Sequence, residues 1–162
     1  MSCPNIFEHV EIISGGQTGA DRAALDFALQ HNIRHGGYCP RGRRAEDGVL
    51  SACYLLKETE CKNYEKRTML NVQHADGTVI FSIRKKLDGG TLFTFDYARE
   101  LHKPLLHLAQ SDLGRPAVRL RNFLRKNGIS RLNVAGPRAS KEPGVYAFVM
   151  RVLTRVFKVN SI

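Results

Sequence analysis

The sequence contains no tryptophan, few cysteines and no long apolar run. Its four cysteines, Cys3, Cys39, Cys53 and Cys61, include no Cys-x-x-Cys pair. This spacing argues against a zinc ribbon or a thioredoxin-type dithiol, so we expect free thiols. No apolar run approaches the roughly 20 residues of a membrane-spanning helix, and the stretch MSCPNIFEHV does not resemble a secretory signal. We therefore expect a cytoplasmic protein with no membrane segment.

The motifs of several common enzyme classes are also missing. The sequence has no His-Glu-x-x-His metalloprotease motif and no Gly-x-Ser-x-Gly nucleophile motif. Its six histidines are scattered, so no metal site is predicted. Because there is no internal repeat or low-complexity tract, we interpret residues 1–162 as a single domain.

Acidic residues are scarce in the C-terminal part of the chain. Residues 1–98 carry 12 Lys or Arg and 12 Asp or Glu, whereas residues 99–162 carry 13 and 3, so the net charge of +10 arises there. This asymmetry predicts a face that meets an anion, and solvated helix surfaces without a partner are the alternative. One basic stretch predicts a candidate nucleic-acid-binding helix: Arg115, Arg119, Arg121, Arg125 and Lys126.

Apolar periodicity predicts strands and helices in alternation. The predicted strands are 10–14, 37–39, 78–83, 104–108 and 131–136. The predicted helices are 20–31, 64–75, 91–102, one from Pro116 to the Asn127-Gly128 pair, and 144–158, with an irregular loop over 40–63. Alternating strands and helices are typical of an α/β protein with a parallel sheet. In such sheets ligands bind outside the carboxyl ends of the strands.

The segment SGGQTGADR, residues 14–22, follows the first strand and opens the first helix. Its glycines permit positive φ angles and let an anion approach the backbone, and the helix N-terminus attracts negative charge. The glycines do not fall as Gly-x-Gly-x-x-Gly, and no Walker lysine follows. The segment therefore predicts a site for an anion or a nucleotide fragment, with a helix-capping role for Asp21 as an alternative.

Three further loops carry polar groups at strand ends. The segment CPRGRRAEDG, 39–48, holds arginines beside Glu46 and Asp47, which either bind a phosphate or neutralise one another. The segment LDGGT, 87–91, repeats the glycine-rich strand-to-helix turn, and the alternative is a tight turn with Thr91 near the N-cap. In NVAGPRAS, 133–140, Arg138 is a candidate anion ligand and Ser140 a candidate cap for the last helix.

Five segments occur together in one order: IISGGQTGADRAALD, GGYCPRGRRAEDG, YEKRTMLNV, GGT and LNVAGPRASKEPGVY. This pattern over about residues 9–158 resembles the bacterial putative molybdenum carrier family, relatives of the algal molybdenum cofactor carrier protein. The resemblance implies a Rossmann-like three-layer α/β sandwich with a mostly parallel central sheet. It implies kinship with the lysine-decarboxylase-like phosphoribohydrolases and with DNA-processing protein A. It also implies a homo-oligomer that binds molybdenum cofactor, a phosphate-bearing pterin, as cargo.

The resemblance, together with the first loop, gives the expected ligand-binding residues. They are Gly15, Gly16, Gln17, Thr18, Gly19, Asp21, Arg22, Arg41, Gly42, Glu46, Asp47, Arg67, Thr68, Asn71, Gly89, Gly90, Thr91, Asn133, Gly136, Pro137 and Arg138.

The phosphoribohydrolase relatives carry a PGGxGTxxE motif whose glutamate acts in cleavage. Here the corresponding stretch, LDGGTLFTFD, lacks the proline and the third glycine and offers only Asp96 near the expected acid. We therefore predict a carrier for a phosphorylated small molecule, either molybdenum cofactor or a nucleotide-like ligand, with no catalytic residue. The alternatives are a nucleoside-monophosphate phosphoribohydrolase that uses Glu46, Asp47 or Asp96, and a nucleic-acid-binding protein. The apolar last helix predicts core packing, with a subunit interface as the alternative.

Overall fold

A parallel five-stranded sheet forms the centre of the computed structural model, which describes residues 7–157. The strands are β1 (Glu11–Ile13), β2 (His35–Gly36), β3 (Tyr38–Cys39), β4 (Arg44–Ala45), β5 (Gly48–Val49), β6 (Lys57–Glu58), β7 (Gly77–Ser82), β8 (Leu105–Ala109) and β9 (Arg131–Ala135). The helices are α1 (Ala20–Gln30), α2 (Tyr64–His74), α3 (Gly89–Glu100), α4 (Pro116–Lys126) and α5 (Val145–Phe157). The central sheet has the order β2-β1-β9-β7-β8, and each neighbouring pair is parallel.

Helices cover both faces of the sheet, which confirms the predicted Rossmann-like α/β fold. Helix α5 packs against both α1 and α4, while α2 packs against α3. All six residues of β7 are buried, as its run of apolar and β-branched residues predicts for a strand covered on both faces. In the register of the sheet, Thr78 of β7 lies beside Asn133 of β9 and Leu105 of β8.

The last helix belongs to the main hydrophobic core. Its apolar residues pack with α1, α4 and the sheet. The ring of Phe157 lies tilted against Phe27 at a centroid distance of 5.6 Å, and Phe148 contacts Phe81 edge-on at 5.6 Å. Phe148 and Phe157 are almost fully buried. Core packing therefore accounts for the apolar surface of α5.

The largest difference from the predicted elements lies near residue 37. The strand predicted over 37–39 is wrong in part, because β2 ends at Gly36 and β3 pairs with β6 outside the central sheet. Gly37 separates the two strands with a φ of +132°, and a Cβ atom there would lie 2.1 Å from the carbonyl oxygen of Ser14. Only glycine fits so close to the Ser14 backbone, and at Gly37 the chain turns out of the central sheet.

The loop over 40–63 contains the short pairs β4–β5 and β3–β6 and is held by one arginine. The guanidinium of Arg43 donates to the carbonyl oxygens of Leu50, Ser51, Tyr54 and Leu56 at 2.8–3.3 Å. These bonds satisfy carbonyl groups that have no partner in a regular sheet or helix.

Several sequence expectations concern features outside the central sheet. Cys39, Cys53 and Cys61 are free thiols, as expected, whereas Cys3 and the predicted end of the last helix at 158 lie outside the described residues. No helix within 7–157 is long and apolar enough to cross a membrane. In the same range no group of His, Cys, Asp or Glu is placed to hold a metal ion.

Candidate functional site

A pocket of about 170 Å³ lies where the loops after β1, β7 and β9 meet the first turn of α2. Ten of the expected residues line it: Gln17, Asp21, Arg67, Thr68, Gly89, Gly90, Thr91, Gly136, Pro137 and Arg138. Six further residues complete the wall: Tyr64, Glu65, Phe93, Thr94, Ala135 and Lys141. The pocket is therefore at the carboxyl edge of the parallel sheet, where α/β proteins bind ligands.

The N-terminus of α3 is an exposed part of the wall. Asp88 occupies the N-cap position but forms no side-chain cap, and its carboxylate instead pairs with Lys141 at 3.1 Å. The first N–H groups of a helix have no intrahelical partner, so those of the Gly89–Gly90–Thr91 turn are available to a ligand. A Cβ atom on Gly90 would meet nothing within 4 Å. The helix begins at Gly89, two residues before its predicted start at Thr91.

Two arginines of the pocket wall approach one aromatic ring. The guanidinium carbons of Arg67 and Arg138 lie 5.7 Å and 5.5 Å from the ring centre of Tyr64. Together with Lys141 they give the lining three cations, against the two acids Asp21 and Glu65. The lining therefore carries a small excess of positive charge around an aromatic surface.

Asp21 is buried in the wall and pairs with Arg67 at 3.1 Å. Burial raises the pKa of Asp21 above its ordinary value, and the neighbouring charge of Arg67 opposes this only in part. The carboxylate also accepts a hydrogen bond from the backbone N–H of Gln17 at 3.3 Å. Gly19, not Asp21, occupies the N-cap position of α1, so the predicted capping role of Asp21 is wrong.

Gln17 leaves an unused hydrogen-bond donor beside the pocket. Its side-chain oxygen accepts from the backbone N–H groups of Thr18 at 3.0 Å and Glu46 at 2.8 Å, which fixes the orientation of the amide. The Nε2 atom of Gln17 and the Nε atom of Arg67 are the buried side-chain nitrogens without a partner within residues 7–157. Both belong to residues that line this pocket. Unpaired buried donors of this kind are uncommon in proteins.

The first glycine-rich turn is closed by protein. Gly16 and Gly19 both have a φ of +82°. A Cβ atom on Gly16 would lie 2.7 Å from Cδ1 of Leu50, and one on Gly19 would lie 2.4 Å from the carbonyl oxygen of Pro137. These glycines therefore permit close packing of the loop 40–63 and of the β9–α5 loop. The expected site residues Gly15, Gly16, Thr18 and Gly19 do not line the pocket.

Glu46 joins three loops instead of lining the pocket. Its carboxylate accepts from Oγ1 of Thr18, and from the backbone N–H and Oγ of Ser140 at 3.2 Å and 2.6 Å. These hydrogen bonds lower the pKa of Glu46 below its ordinary value. Ser140 is therefore committed to Glu46 and does not cap α5, which begins at Val145.

The neighbouring acid Asp47 forms two hydrogen bonds with Arg22, at 2.9 Å and 3.0 Å, which lower the pKa of Asp47. Arg22 also donates to the carbonyl oxygen of Gly16 at 3.1 Å and 3.2 Å. The charged residues of this loop were expected either to bind a phosphate or to neutralise one another. For Asp47 the structure shows a neutralised charge, with Arg22 as its partner. Neither residue lines the pocket.

Two comparisons with known proteins found relatives of this chain. A family model described as the circularly permutated YpsA SLOG family matches residues 12–157. The chain belongs to this family. It is also similar to a crystal structure of a protein named putative molybdenum carrier protein from Syntrophus aciditrophicus, with 43% identity and a TM-score of 0.88. The match covers 91% of this chain and 94% of that one, so the resemblance inferred from the motifs is confirmed. A search of curated proteins found no match.

Three of the four remaining expected site residues of this family member form hydrogen bonds with other parts of the protein. Asn71 accepts from the backbone N–H of Tyr38 at 2.8 Å and donates to its carbonyl oxygen at 3.1 Å. The amide of Asn133 is buried within the sheet and donates to Thr78 at 3.3 Å. Arg41 and Gly42 lie on the loop 40–63, and the backbone N–H of Gly42 donates to Glu58 at 2.7 Å. These four expected residues do not line the pocket.

The sequence analysis missed Tyr64 and Lys141, although both lie within the motifs that carry the resemblance. No local pattern marks Tyr64, because it reaches the pocket only when α2 packs beside the sheet. Lys141 follows Arg138 by three residues, and the basic character of that loop was its only signal.

The basic helix α4 lies outside the pocket, and two of its arginines bind protein groups. Arg119 donates to the carbonyl oxygen of His107 at 3.2 Å and pairs with Asp112 at 3.5 Å. Arg121 donates to the carbonyl oxygen of Val156 at 3.4 Å and so satisfies a carbonyl at the C-terminal end of α5. Part of the C-terminal positive charge therefore stabilises the fold.

Proposed function

We propose that this protein binds a phosphorylated small molecule in the pocket at the carboxyl edge of the sheet. One observation carries the proposal: the open N-terminus of α3 faces the same pocket as Arg138 and Lys141. A helix N-terminus offers N–H donors and a favourable dipole for a phosphate, and arginine adds paired, charge-assisted hydrogen bonds. The phosphate is expected against the turn Gly89–Gly90–Thr91.

Molybdenum cofactor is our first candidate for the ligand, carried as cargo. It is a pterin bearing a phosphate, so it needs a flat aromatic contact as well as an anion site. Tyr64 and Phe93 provide aromatic surface in the wall, and Asp21 and Gln17 provide polar groups for a heterocycle. The name of the similar protein from Syntrophus aciditrophicus supports this choice. A nucleotide-like ligand likewise combines a flat heterocycle with a phosphate.

The three acids named for the hydrolase alternative lie outside the pocket. Glu46 and Asp47 are bonded to other loops, and Asp96 lies on the exposed side of α3, so none of them lines the pocket. As part of the same proposal, the protein is a cytoplasmic homo-oligomer, as the family resemblance implies. Light scattering on the purified protein tests the oligomeric state.

Native mass spectrometry of protein purified from a host that makes molybdenum cofactor tests the proposed ligand. We expect a bound pterin phosphate or another phosphorylated species that dissociates on denaturation. Gly90→Glu places a negative charge in open space beside the expected phosphate, so the bound species should be lost. An acidic residue in the first turn of a helix is favourable, so the fold should be retained.

Gln30→Glu is the matched control for this experiment. It makes the same change of charge at the exposed last residue of α1, at the other edge of the sheet. We expect it to retain the bound species. The proposal is refuted if the wild-type protein carries no phosphorylated species and binds none of inorganic phosphate, pterin phosphate and nucleoside monophosphates.

A further inference from the structure

The guanidinium of Arg67 lies directly against the backbone of Gly15. A Cβ atom at position 15 would lie 1.8 Å from Nη1 and 2.6 Å from Cζ of Arg67. Gly15 is not among the glycines with positive φ, so its backbone conformation is open to other residues. The need for glycine at this position therefore comes from the side chain of Arg67.

Two further contacts hold the same guanidinium. The carboxylate of Asp21 lies 3.1 Å from Nη1, and the ring of Tyr64 lies 5.7 Å from Cζ. The side chain of Arg67 is 14% exposed, so it is largely desolvated. Gly15 belongs to the first loop, Asp21 to the first turn of α1 and Tyr64 to α2, so three parts of the chain fix the arginine.

Part of the guanidinium is left without a protein partner. Nη1 is bonded to Asp21, but no hydrogen bond to Nη2 occurs within residues 7–157, and Nε is buried without a partner. Arg67 lines the pocket with these groups unused. A guanidinium presents its N–H donors in a fixed fork, so fixing one end orients the others.

We propose that the segment GGQTGAD holds the side chain of Arg67 in one position, an arrangement that we call the socket. The guanidinium of Arg67, and not the backbone of this loop, then binds the anionic group of the ligand. Gly15 and Asp21 are then positioning residues, which act on the ligand through the arginine. The socket removes rotamer freedom from Arg67 before the ligand arrives, so less is lost on binding. This inference rests on the proposed function, because it names the residue that holds the anion in that pocket.

Gly15→Ala tests the socket with little disturbance to the backbone. The added methyl group meets the far end of a flexible side chain, so we expect a folded protein with a displaced guanidinium. The probe is inorganic phosphate, with its Kd measured by calorimetry at constant ionic strength. We expect Gly15→Ala and Arg67→Leu each to raise the Kd about tenfold or more, as loss of a charge-assisted hydrogen bond predicts.

The double variant separates a socket from two independent effects. If Gly15 acts through Arg67, the double variant Gly15→Ala/Arg67→Leu should bind phosphate no more weakly than Arg67→Leu alone. Asp21→Asn keeps an acceptor for the N–H of Gln17 but loses the charge that holds Arg67, so it should raise the Kd as well. Gly144→Ala is the glycine control, because its Cβ would make an ordinary contact with Ile83 at 3.6 Å.

The outcomes distinguish this inference from the proposed function. An unchanged Kd in Gly15→Ala overturns the socket, and so does a double variant whose loss equals the product of the two single losses. In either case phosphate binding by the wild-type protein leaves the proposed function intact. If the wild-type protein binds no phosphate and carries no phosphorylated species, the proposed function fails and the assignment of Arg67 fails with it.

Discussion

Alanine at Gly16 and alanine at Gly90 should have opposite effects on stability, although both glycines lie in glycine-rich turns. Gly16 has a φ of +82°, and its Cβ would lie 2.7 Å from Leu50 and 2.9 Å from Leu56. A left-handed alanine costs about 1–2 kcal/mol, and overpacking of this kind costs about 1–3 kcal/mol. Alanine also reduces the conformational entropy of the unfolded chain, which stabilises the folded protein by about 0.4–1 kcal/mol. We therefore expect Gly16→Ala to destabilise the protein by about 2–4 kcal/mol.

Gly90→Ala meets no atom within 4 Å and requires no positive φ. Its free energy of unfolding should be unchanged or up to about 1 kcal/mol higher. Urea unfolding of both variants measures the difference. With a slope of about 1–3 kcal/mol per M, the two midpoints should differ by about 1 M or more. Equal midpoints would refute the conclusion that the first turn is closed by packing and the second is open.

Three other predictions concern the loop contacts of Glu46, a hydrogen bond between α5 and α1, and nucleotide hydrolysis. The pKa of Glu46 is lowered by Ser140 and Thr18, so this carboxylate stabilises the fold above its ordinary pKa and loses that effect as the pH falls through the lowered value. The stability advantage of the wild type over Glu46→Gln should therefore shrink between pH 7 and pH 3 in thermal melts, and a constant difference would contradict this. Tyr146→Phe removes a 2.6 Å hydrogen bond to Asp26 and should lower the free energy of unfolding by about 1–2 kcal/mol in urea titrations. Incubation with nucleoside monophosphates should release no free base by chromatography, and release that depends on Glu46 would establish the hydrolase alternative.

The two glycine-rich turns differ in how much protein covers them. The turn Gly89–Gly90–Thr91 is open to a ligand, whereas the first turn is covered by the loop 40–63 and by the β9–α5 loop. Glu46 links these covering loops through Thr18 and Ser140. Of two glycine-rich turns of similar appearance, one is therefore open at the pocket and the other is closely packed.

Most of the fold was predictable because secondary structure has a local signature. The run TVIFS is apolar on both faces, which is the pattern of a buried parallel strand, and β7 is fully buried. Helix spacing and the Asn127-Gly128 pair place α4 correctly, with Asn127 at its C-cap. The strand at 37–39 was misplaced because the φ of Gly37 depends on its contact with Ser14. Ser14 directly follows β1 and is distant from Gly37 in the chain.

The sequence by itself determined the alternation of strands and helices, and therefore which loops follow the carboxyl ends of the parallel strands. From that rule, without any knowledge of distances, the turns at Gly90 and Arg138 are expected at the same edge of the sheet. In the structure both line one pocket. Only the tertiary structure decided that Arg67 crosses Gly15 and that Leu50 covers Gly16. These contacts join residues far apart in the chain, and their geometry depends on how α2 and the loop 40–63 pack against the sheet. Local periodicity specifies elements, whereas the fit between elements decides which of their polar groups remain available to a ligand.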